Sequence, residues 1–190
     1  KAFNGDPHPG NYLFGADEKV TFLDFGLVKH FEPAELKVFT DMVEAIARDH
    51  DIGRFRSIVE DVGLLAADHP ATDDQVADYF GHFYAMVESR GPFTFTPEFS
   101  SETVRRIFDQ SGPHADIQKA ANVPPSFVII QRINLGVYAI LGELRATGDW
   151  RAVAEELWPF VDAPPQTDLG HQEQAWIEKR AAEGDPTPLA

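Results

Sequence analysis

Strand-forming sequence is confined to the first few dozen of this chain's 190 residues. Residues 12–14 (Tyr-Leu-Phe) and 19–23 (Lys-Val-Thr-Phe-Leu) are short, apolar and partly alternating, and Gly15-Ala16-Asp17-Glu18 between them supplies turn chemistry. That combination predicts a small β-hairpin. After Gly26 strand signals nearly vanish, and from Pro33 onward the apolar residues recur with helical period. A chain with one hairpin and then only helices cannot build a sandwich, a barrel or a doubly wound sheet. It predicts a mainly α fold: a hairpin followed by a helical bundle, as in the lower half of a larger α+β protein.

The helices can be placed from their apolar faces. Leu36, Phe39, Val43, Ile46 and Ala47 share one face of a first helix that His50-Asp51 breaks. Ile52, Phe55, Ile58, Val59 and Val62 make a second, closed by Gly63. Val76, Phe80, Phe83, Tyr84 and Val87 line a third, ending at Gly91-Pro92. Ser100 or Ser101 with Glu102 is expected to start a fourth, stopped by Ser111-Gly112-Pro113. Pro124-Pro125 opens the longest, roughly 126–147, ended by Gly148-Asp149. Trp150, Val153, Leu157, Trp158 and Phe160 belong to a sixth. Pro164-Pro165 marks a domain edge, giving a lobe over 1–163 and a polar, loosely attached tail over 164–190 with one short helix around Trp176 and Ile177. No internal repeat is visible.

Composition excludes several function classes. The chain has no Cys, which removes disulfides, thiol catalysis and Cys-based zinc sites. Its formal charge of −15, from 31 acidic and 16 basic residues, argues against a nucleic-acid partner and against general binding to anionic membranes. The apolar run Phe127 to Leu144 is interrupted by Gln131, Arg132, Asn134 and Glu143, so the expectation is a buried core helix rather than a membrane span. No signal peptide is visible. The expected location is the cytoplasm, with or without membrane association of a full-length protein.

The chemistry lies in Asn4-Gly5-Asp6-Pro7-His8-Pro9-Gly10-Asn11 and in Leu23-Asp24-Phe25-Gly26. A stretch this rich in Gly and Pro is a loop of limited freedom. It can hold the Asp6 carboxylate and the Asn11 amide toward one cavity, and the hairpin can return Asp24 beside them. An amide oxygen and a carboxylate suit Mg²⁺, which takes few protein ligands and keeps the rest for phosphate and water. A second carboxylate, not committed to metal, can accept a hydroxyl proton. This is the division of labour in kinase-type phosphoryl transfer. Each half alone reads equally well as a turn. Together, in this order and 13 residues from Asn11 to Asp24, they point to kinase-like ancestry.

The segments Phe3 to Asn11 and Phe22-Leu23-Asp24-Phe25-Gly26-Leu27-Val28 resemble the UbiB/AarF-type atypical kinase-like family, whose loop reads Phe-His-Ala-Asp-x-His-Pro-Gly-Asn. The resemblance covers roughly 1–160, strongly only 1–28; Ala47-Arg48-Asp49, Gly63 and Pro124-Pro125 also fit it. It implies that the chain is a protein-kinase-like C-terminal lobe of an ATP-dependent phosphotransferase or ATPase linked to isoprenoid quinone (ubiquinone) biosynthesis. It implies Asp6 as the catalytic acid, Asn11 and Asp24 as Mg²⁺ ligands, and Asn11, Asp24, Phe25 and Gly26 as the ATP-facing set. The partners expected are the nucleotide and a phosphoryl acceptor or lipid-like molecule. Asn4 replaces the family's loop His, which usually braces the metal-binding segment, and Gly5 replaces its Ala. Asn-Gly-Asp leans toward aminoglycoside and choline phosphotransferases, a second reading; a non-catalytic scaffold is a third.

Other features read more simply. His8, between two prolines, is expected to brace the loop backbone rather than bind metal. His30, His50, His69, His82, His114 and His171 lack metal-ligand spacing. Glu60-Asp61 and Asp73-Asp74 suit solvated helix ends, and Phe80, Phe83 and Tyr84 suit core; Arg48-Asp49 fits an ion pair or a solvated face. Gly136, Gly142 and Gly148, spaced by six, suit close packing rather than phosphate binding. The chain has no glycine-rich nucleotide loop, no Ala-rich equivalent and no Lys-x-Gly-Gln segment. The expectation is that an N-terminal lobe completes the nucleotide site and that this chain alone is inactive.

Overall fold

The computed structural model describes residues 2–17 and 19–184. Glu18 of the expected turn and the last six residues of the tail lie outside the described residues. The fold is mainly helical, as the periodicity predicts. The expected hairpin is present as β2 (Tyr12–Phe14) and β3 (Val20–Phe22), paired antiparallel with Tyr12 opposite Phe22. A second two-stranded ribbon, unmarked by alternation, joins β1 (Ala2–Asn4) to β4 (Val28–His30), with Asn4 opposite Val28. The two ribbons embrace the Gly/Pro loop between them.

The helices follow from Pro33. Helix α1 (Pro33–Val43) runs into a π-helical turn over Glu44–Arg48. His50 then takes a left-handed φ of 52°, which ends the run where His50-Asp51 was expected to break it. Helix α2 (Ile52–Asp61) closes on Gly63, φ 77°. There the Leu64 N–H reaches Val59 O and the Gly63 N–H reaches Glu60 O, the paired bonds of a Schellman cap. The third apolar stripe is split by a 3₁₀ turn at His82–Tyr84 into α3 (Asp73–Gly81) and α4 (Ala85–Glu88).

Helix α5 (Pro97–Phe108) starts earlier than Ser100. Thr96 Oγ1 accepts the Phe99 N–H and Pro97 fills the first helical position, a stronger start signal than Ser-Ser-Glu. A short α6 (Ala115–Ala120), not expected from the sequence, precedes α7 (Pro125–Glu143). Helix α7 ends before 147 because Arg145 turns left-handed, φ 49°. That turn frees Thr147–Gly148 (β6) to pair with Phe93–Thr94 (β5). Helix α8 (Trp150–Glu155) stops short of Leu157, and α9 (Asp168–Ala182) gives the tail a 15-residue helix rather than a short one. Glu156 ties it on, its Oε1 accepting the Gln166 and Thr167 N–H groups at 2.7 Å each.

The core lies between α1, its π-helical extension, α2, α3, α4 and α6, around Met42, Ile46, Phe55, Val59, Val76 and Ile117. A second, aromatic cluster sits under β5: Phe95 packs on Phe99, Tyr138 and Trp150, with ring centroids 5.1–5.7 Å apart. Edge-to-face phenylalanines carry the core to the ribbons: Phe3 on Phe31, Phe31 on Phe39, Phe39 on Phe127, at 5.2, 5.4 and 5.0 Å.

Helix α7 departs from expectation. It is long and apolar enough to cross a membrane by length and composition, yet only Tyr138 and Gly142 are fully buried, and Val128 is 53% exposed. The reason is its place as a wall. One face packs on α5, where a Cβ at Gly142 would lie 3.0 Å from Thr96 O, and Ser100 Oγ donates to Tyr138 O at 2.7 Å. Another face meets the Gly/Pro loop, and the remaining face is left to solvent.

Candidate catalytic loop

The loop between β1 and β2 is built by its own side chains. His8 Nδ1 accepts the Gly10 N–H at 3.0 Å and caps a 3₁₀ turn over Pro9–Asn11. His8 therefore braces backbone, as its setting between prolines predicts. The Gly5 N–H reaches Leu27 O at 2.8 Å and the Leu23 N–H reaches Asn11 O at 2.9 Å, so the loop is laced to the segment that carries Asp24.

Asn4 is the clasp between the two. Its Oδ1 accepts the Asp6 N–H at 2.9 Å, and its Nδ2 lies 3.5 Å from Asp24 O, a long bond. The amide thus spans from the Gly/Pro loop to the Asp24 segment, the bracing job that the resemblance assigns to a His at this position.

The three candidate oxygen-bearing side chains divide their acceptors unequally. Asn11 Nδ2 donates to Asp6 O at 3.2 Å and lies 3.5 Å from Asp6 Oδ2. Asp24 Oδ1 accepts the Gly26 N–H at 2.7 Å. Among the described residues, Asn11 Oδ1 and Asp24 Oδ2 accept no hydrogen bond, so one amide oxygen and one carboxylate oxygen remain free. Two hard oxygen donors of this kind fit Mg²⁺. Phe25 stacks on Phe22 at 6.3 Å between centroids and is 63% exposed. Burial and the negative charge of Asp6 both push the Tyr12 phenol above its ordinary range, so it stays protonated beside the loop.

Sequence reasoning missed the floor of this site. Three successive loop residues sit on one face of α7. A Cβ at Gly5 would lie 3.4 Å from Ile129 Cδ1, Asp6 Oδ1 accepts from Arg132 Nη2 at 2.8 Å, and a Cβ at Gly136 would lie 2.5 Å from Pro7 Cγ and 3.0 Å from Pro7 O. Ile129, Arg132 and Gly136 follow i, i+3, i+7 spacing. Gly136 is therefore a close-packing glycine, as its spacing predicts, and what it admits is the loop itself. The signal for Arg132 was its charge inside an apolar run, which reads only as an interruption until the fold supplies a partner.

Around the site the surface is apolar and open. Leu13, Phe14, Phe22, Leu23 and Phe25 are all about half exposed or more, and they lie on the hairpin and the Asp24 segment. Phe14 and Phe22 share one face of the hairpin, on which Phe25 stacks against Phe22.

Residues 1–55 match the ABC1 atypical kinase-like domain. Over 50 residues the chain is 40% identical to the chloroplastic protein ACTIVITY OF BC1 COMPLEX KINASE 3 of Arabidopsis thaliana, covering 26% of this chain and 7% of that protein. Over 72 residues it is 36% identical to an uncharacterized protein of Synechocystis sp. (strain ATCC 27184 / PCC 6803 / Kazusa), covering 37% of this chain and 10% of that one. The chain thus spans a tenth or less of the length of the relatives it matches.

Proposed function

We propose that this chain, whose first 55 residues match the ABC1 atypical kinase-like domain, is the catalytic half of a Mg·ATP-dependent phosphotransferase or ATPase of that family. The observation that carries this reading is that, among the described residues, Asn11 Oδ1 and Asp24 Oδ2 accept no hydrogen bond while the other carboxylate, Asp6, is engaged by Arg132 and Asn11.

Asn11 and Asp24 would hold the cation, which when bound bridges and neutralises nucleotide phosphate oxygens. Asp6 would accept the proton of the attacking hydroxyl or water. Asn4 keeps the loop and the Asp24 segment in one register, so the replaced family His is no argument against activity. Phe25 and Gly26 would flank the nucleotide. The ATP-covering groups are proposed to come from an N-terminal lobe seated on the open apolar face around Phe14, Phe22 and Phe25. The visible site is acidic, so the phosphates also need cationic groups from that lobe. A kinase-like lower-lobe fold, a quinone-biosynthetic setting and the acceptor, whether water or a lipid-like alcohol, belong to the same proposal.

The test is Mg·ATP turnover by the full-length protein. Asp24→Asn is expected to lower it by about 10²-fold or more, since a cation ligand is lost. Turnover unchanged by that substitution would refute the role of Asp24, and no Mg·ATP binding at millimolar levels would leave the scaffold reading in its place.

A further inference from the structure

We infer that Arg132 is a positioning residue that withholds the Asp6 carboxylate from metal and so leaves a divalent cation to Asn11 and Asp24. The inference rests on the function proposed above and adds to it a residue far outside the matched segment 1–55.

Two carboxylates close to one cation compete to ligate it. If both bind, none is left to take a proton. The structure separates them by protein contacts. Asp6 Oδ1 is held by Arg132 Nη2 at 2.8 Å, across 126 residues of sequence, and Oδ2 faces Asn11 Nδ2 at 3.5 Å. Among the described residues, the Asp24 carboxylate meets only a backbone N–H, on one oxygen, and keeps the other free. A carboxylate paired to a guanidinium is a poor ligand, because the cation must displace a like charge to reach it. The Asp6–Asn11 contact also turns the Asn11 amide so that its nitrogen points to Asp6 and its oxygen away.

The placement of Arg132 is fixed by its helix rather than by the loop. Gly136, one turn on, lets Pro7 approach the α7 backbone, and Ile129, three residues before, packs near Gly5. The Arg132 side chain itself is 59% exposed and, among the described residues, makes this one ion pair. Its replacement therefore removes a charge at the site without opening the core.

The experiment measures Mn²⁺ binding to the whole 190-residue chain by electron paramagnetic resonance, Mn²⁺ serving as the probe for Mg²⁺. Arg132→Gln is expected to bind Mn²⁺ about three- to tenfold more tightly, because a repelling charge goes and a carboxylate is released. Arg132→Lys is expected to stay near wild type, and Arg132→Gln with Asp6→Asn to fall back toward it. Thermal melting should move little in any of them. Unchanged or weaker binding by Arg132→Gln, or extra affinity that survives Asp6→Asn, overturns the inference. Asp24→Asn separates the two readings. If it loses Mn²⁺ while Arg132→Gln is unchanged, only the role of Arg132 falls. If it binds as well as wild type, the metal assignment itself falls, and this inference with it.

Discussion

Replacing Gly136 by alanine tests whether α7 is the seat of the candidate catalytic loop. The added Cβ would stand 2.5 Å from Pro7 Cγ and 3.0 Å from Pro7 O. Ordinary carbon contacts lie at about 3.5–4.0 Å, so loop and helix must part by roughly 1 Å. Neither neighbour can swing away: one is a ring carbon, the other backbone. Alanine gains about 1 kcal/mol of helix propensity over glycine, while overpacking costs about 1–3 kcal/mol. The net loss of stability is then about 0–2 kcal/mol, small beside what the site suffers. A misplacement of about 1 Å in a reacting group costs roughly 10²-fold in rate. In the 190-residue chain, amide resonances of residues 5–11 should shift while those of α2 and α3 stay. In the full-length protein, Mg·ATP turnover should drop by that factor. Gly142→Ala is the control, since its Cβ would meet Ser100 Oγ and Thr96 O on α5 instead. It should lower the melting temperature and leave the loop resonances in place. Unmoved loop resonances in Gly136→Ala would refute the seat.

Two further outcomes follow from the bundle. Arg151, 6% exposed, donates from Nη1 to Ala47 O at 2.6 Å and Val87 O at 2.9 Å, and from Nε to Glu155. Arg151→Ala would orphan two carbonyls and is expected to cost about 3–5 kcal/mol, read as a fall of roughly 10 °C or more in melting temperature; Arg151→Lys should lose less. His82, stacked on Phe99 and bonded to Thr103 Oγ1 at 2.8 Å, is pushed down to about 4, mainly by burial. Its unfolded value is near 6.5, so the unfolded chain binds the proton first. Its contribution is complete above about pH 6.5 and is lost as pH falls toward 4. Melting temperatures of His82→Gln against wild type should converge across that window, and a constant difference would contradict the assignment.

What could be read from the sequence was what repeats locally. The hairpin showed because Tyr12 to Phe14 and Val20 to Phe22 alternate around a turn, and α2 showed because a periodic face meets Gly63. Strand β4 did not show, because three residues paired to another three carry no alternation. The start of α5 was misplaced because two start signals lie four residues apart, and only the bond from Phe99 N to Thr96 Oγ1 decides between them. The candidate site residues Asp6, Asn11 and Asp24 can be named from the sequence because they lie in two short motifs. Arg132 and Gly136 cannot, because a pairing across 126 residues leaves no mark on either partner's neighbours.

The contact between Pro7 and Gly136 carries a consequence for how such chains can diverge. The two positions share one volume, so bulk added at one must be given up at the other. A variant with a side chain at 136 would be tolerated only beside a smaller, more flexible residue at 7, and the rigidity that Pro7 lends the loop would go with it. The freedom of the loop to change is therefore set by a helix that begins more than a hundred residues later.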